Sequence, residues 1–228
     1  MSTPRKIAIL VGSARKPHST SESLAEYLAS NLSLRGAEPQ VFRVAESARD
    51  SSLDILTAVD QADALMIVTP LYMDSLPYLL TATLEQIAQR RNATAAGRRG
   101  LACLVHCGFP EALHNEIAIA ICRQFAKEAG FEWLGGLSLG GGAVIAGKPL
   151  AELGGVLRNV RRSLALTADA LAAGQPLPDA AVKLMAKPLI NRWVYTLIGN
   201  FGWKHMARKL GARRKLNDQP YRRTDDNA

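Results

Sequence analysis

No stretch of this 228-residue chain approaches the ~18 consecutive apolar residues of a membrane-spanning helix. The opening residues, MSTPRKIAILVG, lack the long apolar core and small-residue cleavage site of a secretory signal. Cysteine is scarce. Cys103, Cys107 and Cys122 cannot all pair within one chain, and neither a C-x-x-C spacing nor a ligand-rich neighbourhood gathers them. The expectation is free thiols in a reducing cytoplasm, with no disulfide scaffold and no metal site. Nothing reads as low-complexity sequence, so a folded body is expected.

Apolar residues make up 48% of the chain, enough for a full core. The formal charge of +8 is unevenly placed. Residues 176–228 hold 11 Lys+Arg and 4 Asp+Glu, a balance of +7, while residues 1–175 hold 17 and 16, a balance of +1. The basicity therefore belongs to a C-terminal extension, and the body selects its ligand locally.

Five apolar runs alternate with five helical patterns. The strands predicted are Lys6–Val11, Gln40–Val44, Ala64–Val68, Gly100–His106 and Trp133–Leu139. The helices predicted are Ser21–Leu34, closed by Arg35-Gly36; Ser51–Ala62, opened by a Ser51-Ser52-Leu53-Asp54 cap; Pro77–Arg91; Ala112–Gly130, with Ile117, Ile121 and Phe125 on one face; and Leu150–Ala173. Strands that are apolar throughout indicate a sheet covered on both faces. The pattern is that of an α/β protein with a parallel sheet, whose ligands sit beyond the carboxyl ends of the strands. Residues 1–175 read as that domain, and residues 176–228 as a basic, aromatic-rich helical extension.

The loop after the first strand is GSARKPHSTS, Gly12–Ser21. It is not G-x-G-x-x-G, and Pro17 stands where a G-x-x-x-x-G-K-[ST] loop has its second glycine. It has no cysteine for a phosphatase-type thiolate. What remains is a hydroxyl-rich segment with cations before a helix N-terminus. Such an end offers N–H groups and a positive dipole to a phosphate monoester. Serine and threonine are also common helix caps, and Ser19 or Ser21 suits that role.

Gly12-Ser13-Ala14-Arg15 with Ser19-Thr20-Ser21 resembles the phosphate loop of the NADPH-dependent FMN reductase and flavodoxin-like oxidoreductase family. The resemblance spans roughly residues 5–175. It implies a flavodoxin-like, doubly wound five-stranded parallel sheet in the order 2-1-3-4-5, with Ser13, Arg15, Ser19, Thr20 and Ser21 around the FMN phosphate. After the third strand, Pro70-Leu71-Tyr72-Met73-Asp74-Ser75-Leu76-Pro77 is similar to the family's P-x-Y-x-x-S-x-P segment, which lines the flavin ring. Two prolines stiffen it, and Tyr72 or Met73 suits a flat heterocycle. The other reading is a proline-rich turn with Tyr72 and Leu76 in the core. After the fourth strand, His106-Cys107-Gly108-Phe109-Pro110-Glu111 offers Cys107, Gly108 and Phe109 to the polar edge of the ring. Cys107 at a strand end reads as a small hydrophobe rather than a nucleophile, so no catalytic residue is assigned. Some relatives carry an iron–sulfur site, whose compact cysteine motif is missing here.

The resemblance implies electron transfer from NADPH or NADH through FMN to a small acceptor such as a quinone, nitro or azo compound, in a homodimer. The alternative is a flavodoxin-like FMN carrier serving a protein partner. In the extension, Ala180–Met185 and Leu189–Leu210 read as two helical segments, the second interrupted at Gly199-Asn200. They pack on the body or a partner, or lie against an anionic membrane surface. No nucleic-acid-binding module is present.

Overall fold

The computed structural model describes residues 3–15, 18–46, 52–94, 97 and 99–219. Lys16, Pro17 and the expected Ser51 cap lie outside the described residues. The first compact unit is Met1–Leu189 and the second is Ile190–Ala228.

In the first unit, β1 (Lys6–Val11), β2 (Glu38–Arg43), β3 (Ala64–Pro70), β4 (Arg99–His106) and β5 (Phe131–Leu139) form a parallel sheet in the order β2-β1-β3-β4-β5. This is the flavodoxin-like arrangement. Its chain order reverses beside β1, which brings the loops after β1 and β3 together. All seven residues of β3 are buried, because layers of helix cover both faces. On one face Ile7, Ile9 and Val11 pack with α1 (Thr20–Ser33) and α5 (Arg158–Ala173). On the other, Ala8 and Leu10 pack with α2 (Ser52–Gln61), α3 (Tyr78–Thr94) and α4 (Glu116–Glu128). Pro39, which cannot donate to a ladder, is tolerated because β2 is an edge strand.

α1 forms because Leu24, Leu28 and Leu32 recur every four residues and are fully buried. Each such burial contributes about 1.5–3 kcal/mol relative to exposure. Gly36, at φ 74°, ends the turn, and Ala37 N–H bonds back to Leu32 O.

Several boundaries differ from the sequence reading. Ala112–Asn115 is a 3-10 turn ahead of α4, and α4 buries Ala118, Cys122 and Ala126 rather than the Ile117 and Ile121 face. The expected Leu150–Ala173 helix is broken. Leu150–Leu157 is 3-10 structure with Gly154 at φ 57°, ψ −149°, a conformation open to glycine alone. The body also runs past residue 175. Leu177 and helix α6 (Asp179–Met185) are part of it, with Leu177, Ala181 and Met185 buried in the α1/α5 core. Apolar burial outweighs the Pro176 and Pro178 linker signal there.

The second unit contains α7 (Arg192–Lys209). The helix continues through Gly199-Asn200, where the sequence suggested a break, and ends before Gly211 at φ 66°. Trp193, Leu197, Phe201, Trp203 and Leu210 are all exposed. Among the described residues, no helix is long and apolar enough to cross a membrane.

Candidate functional site

The loops after β1, β3, β4 and β5 meet at the carboxyl edge of the sheet. The approach begins at Gly12. A Cβ there would lie 2.6 Å from Thr69 Oγ1 and 2.8 Å from Leu80 Cδ2. Only glycine lets the first loop leave β1 this close to β3.

Ser13 is buried, and its Oγ accepts from Arg15 N–H at 3.2 Å. The Arg15 side chain is exposed. Ser19, not Ser21, is the N-cap of α1. Its backbone is extended at φ −91°, ψ 158°, and its Oγ accepts from Glu22 N–H at 3.1 Å. The Glu22 carboxylate accepts in return from the Ser19 and His18 N–H groups, completing a capping box. Arg43, on β2, is paired with the same carboxylate. Burial raises the Glu22 pKa. Hydrogen bonding and charge from Arg43, with the two N–H bonds, outweigh it and hold the group below its ordinary value. Glu22 is therefore an anion, and its charge is offset in part by Arg43, which also reaches Glu26 at 3.4 Å.

Thr20 Oγ1 donates to Gly142 O at 3.1 Å, joining the first loop to the loop after β5. Ser21 is fully buried, with its Oγ 2.8 Å from His106 Nε2 at the end of β4. His106 is 8% exposed, and burial pushes its pKa down to about 4.

Pro70 closes β3, and Leu71 N–H donates to His106 O at 2.8 Å. Tyr72 and Ser75 then exchange two backbone hydrogen bonds, each 3.0 Å, around Met73 (φ 48°) and Asp74 (φ 59°). Two consecutive positive φ values without glycine make this a strained tight turn. Tyr72 is partly exposed and Met73 is 99% exposed, whereas Leu76 is buried. Beyond β4, Cys107 is buried and burial raises its pKa. Its Sγ lies 3.5 Å from Phe109 O. Gly108 and Phe109 are exposed, and the Phe109 and His114 rings sit 4.6 Å apart. Gly142 N–H donates to Cys107 O at 2.8 Å, and Gly141 N–H to Phe109 O at 2.5 Å.

The structure thus places Ser19, Thr20 and Ser21 at one helix end, with Ser13 buried in the loop before it, and joins that end to Cys107 through His106 and Gly142. Arg15, Tyr72, Met73, Asp74, Ser75, Gly108 and Phe109 lie on exposed parts of the surrounding loops. Sequence reasoning missed Glu22 and Arg43, left Gly140-Gly141-Gly142 open between a floor beneath the ligand and a mobile turn, and gave His106 no part in the site. A Ser19-x-x-Glu22 capping box is visible in the sequence; the other contacts span too many residues to be. Among the described residues, no group of three or more His, Cys, Asp or Glu is placed to hold a metal ion.

The model of the NADPH-dependent FMN reductase family matches residues 5–117. This part of the chain belongs to that family. The family assigns FMN as cofactor, NAD(P)H as electron donor and an oxidoreductase activity. No curated protein sequence matches the chain. Among solved structures it is similar to RosB with bound 8-demethyl-8-formylriboflavin-5'-phosphate: 16% identity, 98% of this chain and 92% of that one, TM-score 0.53. It is similar to a putative quinone reductase from Klebsiella pneumoniae: 14% identity, 76% and 87% coverage, TM-score 0.53. It is also similar to a WrbA-like flavodoxin from Agrobacterium tumefaciens: 12% identity, 75% and 99% coverage, TM-score 0.51. At these identities the likeness is one of fold.

The donor set suits a phosphate monoester. Ser13 and Ser19 each accept a backbone N–H bond, which leaves the hydroxyl proton for an anion. Thr20 has spent its proton on Gly142 O. Thr20 and Ser21, in the first turn, have backbone N–H groups with no partner inside the helix.

Proposed function

We propose that the FMN phosphate is held by Ser13, Arg15, Ser19 and the first-turn N–H groups of Thr20 and Ser21. Segment Pro70–Ser75 and residues Cys107, Gly108 and Phe109 then face the flavin ring. Bound FMN supplies two-electron chemistry between a reduced nicotinamide and an acceptor. The chain supplies position: a stiffened Pro70–Pro77 loop, a buried helix end, and backbone contacts that tie the loops together. No side chain is assigned as acid, base or nucleophile. The acceptor in this reading is a small quinone, nitro or azo compound, a class to which the quinone reductase likeness is congenial.

The observation that carries the reading is the pair of buried hydroxyls in the loop after the first strand, Ser13 near its start and Ser19 at the capped helix N-terminus that ends it. Its test is the absorbance spectrum of the purified chain after addition of FMN, followed by anaerobic NADH or NADPH. Flavin uptake and bleaching by either donor are expected. No flavin uptake sinks the reading, while uptake without bleaching by either donor identifies an electron carrier instead.

The same reading takes the enzyme as a cytoplasmic homodimer. Leu113, Ile117 and Ile121, exposed at four-residue spacing, support self-association. The second unit is read as a contact for an anionic membrane surface. Ile190–Ala228 holds nine Lys+Arg against three Asp, together with exposed Trp193, Leu197, Phe201 and Trp203. No nucleic acid enters this reading.

A further inference from the structure

His106 has no role in the reading above, yet three loops meet on it and its neighbour. Its backbone carbonyl accepts from Leu71 N–H at 2.8 Å, which fixes the loop after β3. Its ring reaches the other way, with Nε2 2.8 Å from Ser21 Oγ, 85 residues earlier in the chain. The next carbonyl, that of Cys107, accepts from Gly142 N–H at 2.8 Å, and Gly142 O accepts from Thr20 Oγ1 at 3.1 Å. The ring lies so close to the β5 loop that a Cβ on Gly142 would stand 2.9 Å from Nδ1.

These contacts divide the work. The backbone of His106 serves the ring-facing loop after β3, and that bond survives any side-chain change at position 106. The imidazole serves the first turn of α1. A serine in a helix first turn usually bonds to nearby backbone. Ser21 is instead held from across the sheet, two residues after the cap and beside the N–H groups offered to phosphate.

We propose that His106 is a positioning residue for the phosphate cradle: it holds the first turn of α1 through Ser21, and so sets the preference for a phosphorylated flavin over its unphosphorylated counterpart. The proposal rests on the FMN reading.

The test is titration of FMN and riboflavin into the full chain, followed by quenching of flavin fluorescence, for wild type, His106→Ala, His106→Gln, Ser21→Ala and the Ser21→Ala/His106→Ala double variant. His106→Ala is expected to weaken FMN by about tenfold or more, the scale of one lost hydrogen bond near a charged group. Riboflavin binding is expected to stay unchanged. A glutamine at 106 offers an amide near Nε2 and is expected to recover most of the FMN affinity. The double variant is expected to lose no more than the worse single one, because the two changes break one interaction. Equal losses of FMN and riboflavin, an unchanged FMN affinity, or additive losses would overturn the proposal. If His106→Ala does not fold, Ser21→Ala decides: FMN weakened with riboflavin spared supports the pair, and wild-type binding of both refutes it. A wild-type chain that takes up neither flavin fails the FMN reading itself, a result distinct from variants that bind FMN normally.

Discussion

Ile117 and Ile121 stand one turn apart on α4 and both face water, 59% and 37% exposed. Leu113 extends the stripe by another turn, and Ala118, Cys122 and Ala126 carry the helix's contact with the sheet. An apolar stripe of this spacing gains by burial against a copy of itself about a two-fold axis. Replacing Ile117 by Lys puts a charge in that contact without touching the core. Light scattering should then give a monomer where wild type gives a dimer, with flavin-free thermal stability little changed. Identical masses for the two chains would remove the stripe from the interface.

Ser13→Ala removes a buried hydroxyl from the cradle, and Arg15→Ala removes its cation. Each should weaken FMN by about 1.5–3 kcal/mol, the worth of a hydrogen bond to a charged group, or roughly 10- to 150-fold in Kd. Far-UV circular dichroism should not change. Isothermal titration checks both, and an unaltered Kd would place the phosphate elsewhere.

Protonation of His106 sets a pH dependence. In the folded chain burial pushes its pKa down to about 4, from an ordinary value of 6.5. Between those values the unfolded chain binds more protons, so stability falls as pH drops from 6.5 towards 4. The full span corresponds to about 3 kcal/mol. His106→Gln cannot take up that proton. Urea unfolding across this range should show a shallower pH dependence for the variant, and equal slopes would mean the imidazole is not buried neutral.

The basic second unit should co-sediment with vesicles containing phosphatidylglycerol and not with phosphatidylcholine vesicles. Added salt should release it as the attraction is screened. Binding that ignores both lipid charge and salt would contradict an electrostatic surface contact, and binding to nucleic acid alone would replace the lipid reading.

The sheet was legible because β1, β3 and β4 are buried on both faces, so their apolar runs are unbroken and end sharply at Gly12, Pro70 and Cys107. The capped start of α1 was legible in its serines, although the choice between Ser19 and Ser21 needed backbone angles. Gly154-Gly155 carried a local warning that Leu150–Ala173 is not one helix. The position of Leu177 and α6 did not, because their burial depends on where α1 and α5 lie. Least legible were the contacts that assemble the site. Ser21 with His106 and Thr20 with Gly142 lie 85 and 122 residues apart in sequence, and each residue's local surroundings read as an ordinary cap, strand end or glycine turn.

The Tyr72–Ser75 turn has a chemical consequence. It lifts the Met73 sulfur fully into water, while Cys103, Cys107 and Cys122 are all buried. An oxidant in solution therefore meets this thioether more readily than any of the three thiols. Conversion of Met73 to its sulfoxide would add a dipole to the loop that the proposed function turns toward the flavin ring, and dedicated reductases reverse it.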